Sequence, residues 1–363
     1  MTIPATPLPR MGDLLHAAWG HEPDYKPWRG ERSASVQPFS RGAVALAAAA
    51  ETIARVHNVP RVEAWLPDFM CNDALDWLRA AANVRFYRVR PSLEPEWEDL
   101  SGHQGALVIV HYFGFPNPAV TQDRALPDFV VIEDAAHVLA PVSPIGAAPI
   151  AIYSPRKLLS VPPIGCIAVA PALASAIPQA GRGGEGEAAM WIARRLVQKA
   201  LRMSGISWHW LWRNRHAPAE ADRIANDAAL TAPTAFARRM LAVESRRLDQ
   251  TRTLRRRNYQ LLADFVDRAP GLAPLFDHLP DGVCPYAFPL RALGGAQPVV
   301  QSLQSMGIPA SRWADLPPEV RHGNEKHRVA IELAREIVLL PVHQGLSLRE
   351  VERIGSALVR AAS

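Results

Sequence analysis

The chain has 363 residues, with 40 Lys and Arg against 35 Asp and Glu, for a formal net charge of +5. Apolar residues make up 48% and charged ones 21%, a balance that excludes disorder along most of the chain and is too weakly basic to argue for nucleic acid. Its 33 prolines and three scattered cysteines exclude a coiled coil, a disulfide framework and a cysteine-rich metal site.

The opening segment MTIPATPLPRMGDLLHAAWG contains no apolar run of signal-peptide length. No uninterrupted apolar stretch of ~20 residues follows that could span a bilayer, so a soluble cytoplasmic chain is expected. GAVALAAAAETIARV (residues 42–56) has helical spacing. Residues 62–66 predict a strand stopped by Pro67, residues 73–82 a helix and residues 84–89 another strand. ALVIVHY (106–112) and FVVIE (129–133) are continuous Val- and Ile-rich runs, the mark of strands buried on both faces of a parallel sheet. Residues 151–154 and 165–170 predict two more strands. Strands alternating with helices make an α/β domain with its ligand site at the carboxyl ends of the strands. GRGGEG (181–186) reads as a break. A stretch from Trp191 to His216 follows that is rich in Arg and Trp and has no acidic residue. Residues 233–267 predict one long Arg-rich helix, and the remainder a smaller α+β unit with a helix near 299–306, a strand at 338–342 and a final helix. The expected division is a large α/β domain at 1–235, with a basic helical insertion at 185–220, and a linking helix plus small α+β domain at 236–363.

Asp134 ends the run FVVIED and Lys157 lies 23 residues later in IYSPRKLL, with one strand between them. In a parallel sheet both would project into one crevice. A lysine whose pKa is lowered can condense with an aldehyde, and a buried carboxylate can keep a pyridine nitrogen protonated. These are the two protein groups that pyridoxal phosphate (PLP) chemistry needs most. The phosphate would need a handle, and Ser40, Arg41, Gly42 and Ala43 stand immediately before the Ala-rich helix, whose free N–H groups suit an anion.

The order of these segments resembles the DegT/DnrJ/StrS-type aminotransferases. VVIEDAAHVLA (130–140), IYSPRKLLSVPPIGCIAVA (152–170), VEAWLPDFMCNDAL (62–75), VIVHYFGFP (108–116), LDQTRTLRRRNYQLL (248–262) and LLPVHQGLSLREVERI (339–354) are similar to that family's motifs. The resemblance implies the type I PLP-dependent transferase fold, with a mostly parallel sheet of seven strands and a smaller C-terminal domain. It also implies a homodimer with its site near the subunit interface, PLP as cofactor, an amino-acid donor such as glutamate, and a keto-sugar or nucleotide-sugar acceptor. Lys157 is then the cofactor lysine and Asp134 the partner of the ring nitrogen. His137 lies near the phenolic oxygen, and Gly42 and Ala43 donate backbone N–H groups to the phosphate. Phe69 is the candidate ring-stacking aromatic, although the family's aromatic position aligns better with Cys71.

Several positions depart from the family. Ala43 stands where a hydroxyl is usual, leaving Ser40, Arg41 or Ser154 to compensate. Ile152 replaces a serine, and VPPIGC (161–166) replaces a glycine-rich stretch. The segment that crosses to the partner subunit is not recognisable between Asn226 and Phe236. A non-catalytic relative in a polysaccharide pathway, or another PLP reaction such as dehydration or elimination, is therefore kept as an alternative. His343, Trp313 and Tyr112 are the substrate-site candidates. The 191–216 stretch reads as a surface insertion, with peripheral contact to an anionic membrane as the less favoured reading.

Overall fold

The computed structural model describes residues 3–33, 35–120, 128–184, 186–204 and 229–362. Helix α1 (Met11–Trp19) precedes strand β1 (Ser35–Phe39), and α2 (Gly42–Val56) follows at once. Next come β2 (Val62–Pro67), α3 (Asp76–Ala81), β3 (Ala82–Tyr87), β4 (Gly105–Val110), β5 (Phe129–Ala135), β6 (Ile150–Tyr153) and β7 (Gly165–Val169). They form one seven-stranded sheet in the order β1-β7-β6-β5-β4-β2-β3. The pairs β2–β3, β2–β4, β4–β5 and β5–β6 are parallel, whereas β7 runs antiparallel to both β6 and β1. Residues 106–110 of β4 are all buried, as a strand covered on both faces requires. Each such Val, Ile or Leu contributes roughly 1.5–3 kcal/mol by leaving water.

The apolar runs did not mark β1. It contains Pro38, which an edge strand tolerates because no neighbour needs its missing N–H.

Helix α4 (Gly186–Ser204) carries the first part of the basic stretch and buries Trp191. Trp208, Trp210, Trp212, Arg213, Arg215 and His216 lie outside the described residues, as does the second part of the expected insertion. No described helix is long and apolar enough to cross a membrane.

The single Arg-rich helix expected at 233–267 is two helices, α5 (Ala235–Ser245) and α6 (Leu248–Val266). Arg247 leaves helical backbone (φ −123°, ψ 23°), and its guanidinium bonds Asp13 at 2.6 Å and Glu244 at 3.2 Å. Periodicity cannot register such a tertiary ion pair. The linking stretch therefore divides: Met240 and Leu241 of α5 join Leu14 and Ala17 of α1 in one buried cluster, whereas α6 packs on the last helix.

The second sheet has the order β10-β11-β9-β8, from β8 (Leu272–Pro274), β9 (Phe288–Ala292), β10 (Ser311–Arg312) and β11 (Ile337–Leu340), all antiparallel. Helices α7 (Ala296–Ser305), α8 (Arg328–Glu336) and α9 (Leu348–Ala362) flank it.

Candidate active site

Strands β5 and β6 are neighbours in parallel register, with Asp134 opposite Ile152. Asp134 therefore ends one strand while Lys157 follows the other by a single turn, its N–H bonded to Ser154 O at 3.0 Å. Successive residues of a strand point to opposite faces. Glu133 accordingly faces away, where it accepts N–H bonds from Gly146 and Ala148 and a 2.8 Å bond from His111 Nε2. It fixes the 146–148 loop and leaves Asp134 to the site.

Asp134 is 6% exposed, and one oxygen accepts the Ala136 N–H at 2.9 Å. Burial raises its pKa above the ordinary carboxylate range, and the Lys157 charge opposes that rise. Burial likewise pulls Lys157 below an ordinary lysine, opposed by Asp134 and Cys71. Lys157 Nζ lies 3.1 Å from His137 Nε2. The His137 ring stacks flat on Tyr286 (4.3 Å between centroids, 4° between planes) and lies roughly parallel to Phe113 at 5.9 Å. Lysine, carboxylate and histidine thus share one cluster, with Asp134 buried and the other two half-buried.

The α2 terminus reaches the same place. An added Cβ at Gly42 would come within 3.0 Å of Ser154 Cβ and 3.2 Å of its Oγ, so the helix start touches the residue three before Lys157. No side chain caps this first turn, which leaves the N–H groups of Gly42 and Ala43 as anion donors beside Ser154. The other two candidates in this stretch point elsewhere. Ser40 Oγ is bonded to Thr231 Oγ1 at 2.7 Å, and the Arg41 guanidinium pairs with Glu187 and lies 6.0 Å from the Trp77 ring. Of the three candidates to replace the hydroxyl missing at Ala43, Ser154 is the one whose Oγ lies beside the start of α2.

Phe69 is fully buried and stacked on Trp313 (4.3 Å, 22°), and the preceding Asp68 is held by Val89 N–H and by His327 Nδ1 at 2.9 Å. The residue in electrostatic reach of Lys157 is Cys71, whose pKa burial raises and the lysine lowers. Tyr112 does not present its hydroxyl to a substrate, since that group donates to Phe69 O at 2.8 Å. His343 also lies outside the cluster. It is 2% exposed, with Nε2 bonded to Pro4 O at 2.9 Å and Nδ1 accepting the Gly345 N–H at 3.2 Å. Trp313 does join the wall: its ring stands edge-on to Phe113 and His137, and its buried Nε1–H finds no acceptor among the described residues.

Nothing in the residue pattern singles out Tyr286, Phe113 or Arg255. Arg255 is 1% exposed and meets no carboxylate among the described residues; it donates to Leu158 O, Pro285 O, Tyr286 O and Gln344 Oε1 at 2.9–3.1 Å. It ties the Lys157 turn to Tyr286. The run LRRRN signalled an arginine helix face without telling which arginine turns inward.

A half-buried amine beside a buried acid, a helix start beside a hydroxyl, and an indole N–H with no acceptor among the described residues together form a donor set that fits PLP. No protein-family model matches the sequence, and no curated protein matches it either. Solved structures do. The aminotransferase TlmJ of Streptoalloteichus hindustanus is 18% identical, with 99% of this chain and 98% of that one covered at a TM-score of 0.67. PseC of Helicobacter pylori, an aminotransferase involved in pseudoaminic acid biosynthesis, is 12% identical over 100% and 99%, with a TM-score of 0.69. CalS13 of Micromonospora echinospora, a sugar aminotransferase, is 16% identical over 99% of both chains, with a TM-score of 0.64. From end to end, this chain has the fold of the sugar aminotransferases.

Proposed function

We propose that the protein is a PLP-dependent aminotransferase that moves an amino group from an amino acid, glutamate being the expected donor, to a keto-sugar in amino-sugar or surface-polysaccharide biosynthesis. The observation that carries this reading is the cluster of Lys157, Asp134 and His137 at the carboxyl edge of adjacent parallel strands. It lies in a chain that shares its fold with sugar aminotransferases over its whole length.

When bound, PLP supplies an aldehyde for amine capture and a pyridinium ring that accepts electron density. Lys157 Nζ is the amine that would hold it. The Gly42 and Ala43 N–H groups and the Ser154 hydroxyl would take the phosphate, and Asp134 would face the ring nitrogen. A carboxylate in a site this buried favours a proton on the nitrogen it faces, and that role requires a charge Asn cannot supply. His137 would lie beside the phenolic oxygen. Lys157 Nζ is then placed to take a proton from the donor's Cα and return one to the acceptor carbon. Trp313 Nε1–H, in the wall beside His137 and without an acceptor among the described residues, would donate to a substrate oxygen. A homodimer with its site near the interface completes the proposal.

The test is chemical. Full-length protein incubated with PLP and reduced with borohydride should carry the cofactor on Lys157 by peptide mapping, and Lys157→Ala should carry none. Glutamate added before borohydride should prevent the labelling by drawing the cofactor into its amine form. Labelling elsewhere, or none, refutes the cofactor assignment. Labelling of Lys157 that no amino acid prevents would point instead to a non-catalytic relative.

A further inference from the structure

We propose that His137 holds Lys157 as an uncharged amine, with the imidazole proton fixed on Nε2 by the backbone N–H of Phe113. The Phe113 amide donates to His137 Nδ1 at 3.3 Å, so Nδ1 must offer a lone pair. A neutral imidazole carries one N–H, which then sits on Nε2. That nitrogen is 3.1 Å from Lys157 Nζ. A donor at this distance needs a lone pair on Nζ, which the free amine has and the ammonium lacks. With a charged lysine, two hydrogens would face each other.

The backbone around Phe113 enforces this choice. Phe113 adopts φ +57°, a left-handed conformation uncommon for a bulky side chain, and Gly114 follows at φ +92°. A Cβ on Gly114 would come within 2.5 Å of Cys284 O and 3.0 Å of His137 O. Tyr286 N–H clamps Phe113 O at 2.8 Å, and the Tyr286 ring lies flat on the imidazole and fixes its plane.

Three charged or titratable groups also face the lysine. Asp134 from β5 and Cys71 from beyond β2 favour the charged amine, and Arg156 beside it disfavours that form. Burial acts in the same direction as Arg156 and also keeps His137 neutral. The inference rests on the proposed function only for its purpose, since the free amine is the form that captures an aldehyde.

The experiment uses the full-length chain without cofactor. A brief pulse of acetic anhydride at a series of pH values, read at Lys157 by mass spectrometry, reports the fraction of free amine. His137→Phe keeps the stack on Tyr286 and removes both nitrogens. The midpoint of its acetylation-against-pH curve should move up by about 0.7 pH unit, the scale of one lost hydrogen bond. If histidine instead accepted from an ammonium, the same change would leave the midpoint where it is or lower it, and the inference would be overturned. The second readout needs no folded variant at position 137 beyond signal assignment, for which His137→Gln also serves. Nitrogen NMR of the histidine-labelled wild type should show His137 protonated on Nε2 and bare on Nδ1. The opposite tautomer overturns the inference. Failure to trap PLP on a chain whose Lys157 still acetylates readily at pH 7 would refute the cofactor reading and support this one.

Discussion

Gly165→Ala tests whether the packing of β7 builds the phosphate end of the site. Strand β7 lies flush on the residues that begin α2. A Cβ at Gly165 would stand 2.3 Å from Arg41 C and 2.4 Å from both Arg41 O and Gly42 N. Ordinary contact begins near 3.4 Å, so about 1 Å of separation must open. All three obstructing atoms belong to the backbone, and none can swing aside as a side chain would. Overpacking costs about 1–3 kcal/mol, and a clash with several backbone atoms belongs at the upper end, about 3 kcal/mol. The same displacement moves the Gly42 and Ala43 N–H groups off Ser154. PLP affinity should fall about tenfold, the scale of one contact at a helix terminus. Urea unfolding followed by circular dichroism measures the first effect, and a fluorescence titration with PLP the second. Gly12→Ala is the control, because nothing lies within 4 Å of its added Cβ, and it should be neutral or slightly stabilising. A Gly165→Ala protein that unfolds at the wild-type urea concentration and binds PLP with wild-type affinity would refute the reasoning.

Burial holds His343 at about 3, below the ordinary histidine value of 6.5. The unfolded chain takes up a proton there that the native state refuses, so the site's contribution is full above pH 6.5 and lost as pH falls toward 3. His343→Gln should remove up to about one proton of uptake from the acid-unfolding slope while leaving PLP trapping on Lys157 intact. The pair Asp68–His327 joins the loop after β2 to the residue preceding α8, with both side chains buried. His327→Ala should destabilise by about 3 kcal/mol in denaturant unfolding, because Asp68 is left buried with only backbone N–H partners, from Val89 and Phe69, and Asp68→Asn in the same chain should recover part of the loss. Asp134→Asn keeps the shape but removes the charge. It should still trap PLP on Lys157 while slowing glutamate-driven conversion by at least about 100-fold in stopped-flow absorbance. Equal rates would remove Asp134 from the proposed chemistry.

The parallel strands, the Ala-rich helix and the Asp134–Lys157 pair were legible because each is a local signal. Uninterrupted Val and Ile runs report burial on both faces, and a residue just past such a run must lie at the sheet's carboxyl edge. The long helix expected at 233–267 divides at Arg247, whose partner Asp13 lies more than 200 residues away in sequence, where no local pattern registers it. Strand β1 escaped notice because a proline argues against a strand until the strand is known to lie at an edge.

The site divides in the same way. Its amine, its acid and its helix start follow from sequence order. Which side chains surround them follows from packing: Phe69 turned to Trp313, Cys71 brought toward the lysine, His343 drawn off to Pro4, and Arg255 buried against four acceptors. The protonation of His137 and Lys157 belongs wholly to the tertiary structure. It depends on a single backbone N–H held in place by a left-handed turn, and a linear pattern of residue types carries no record of where an amide points.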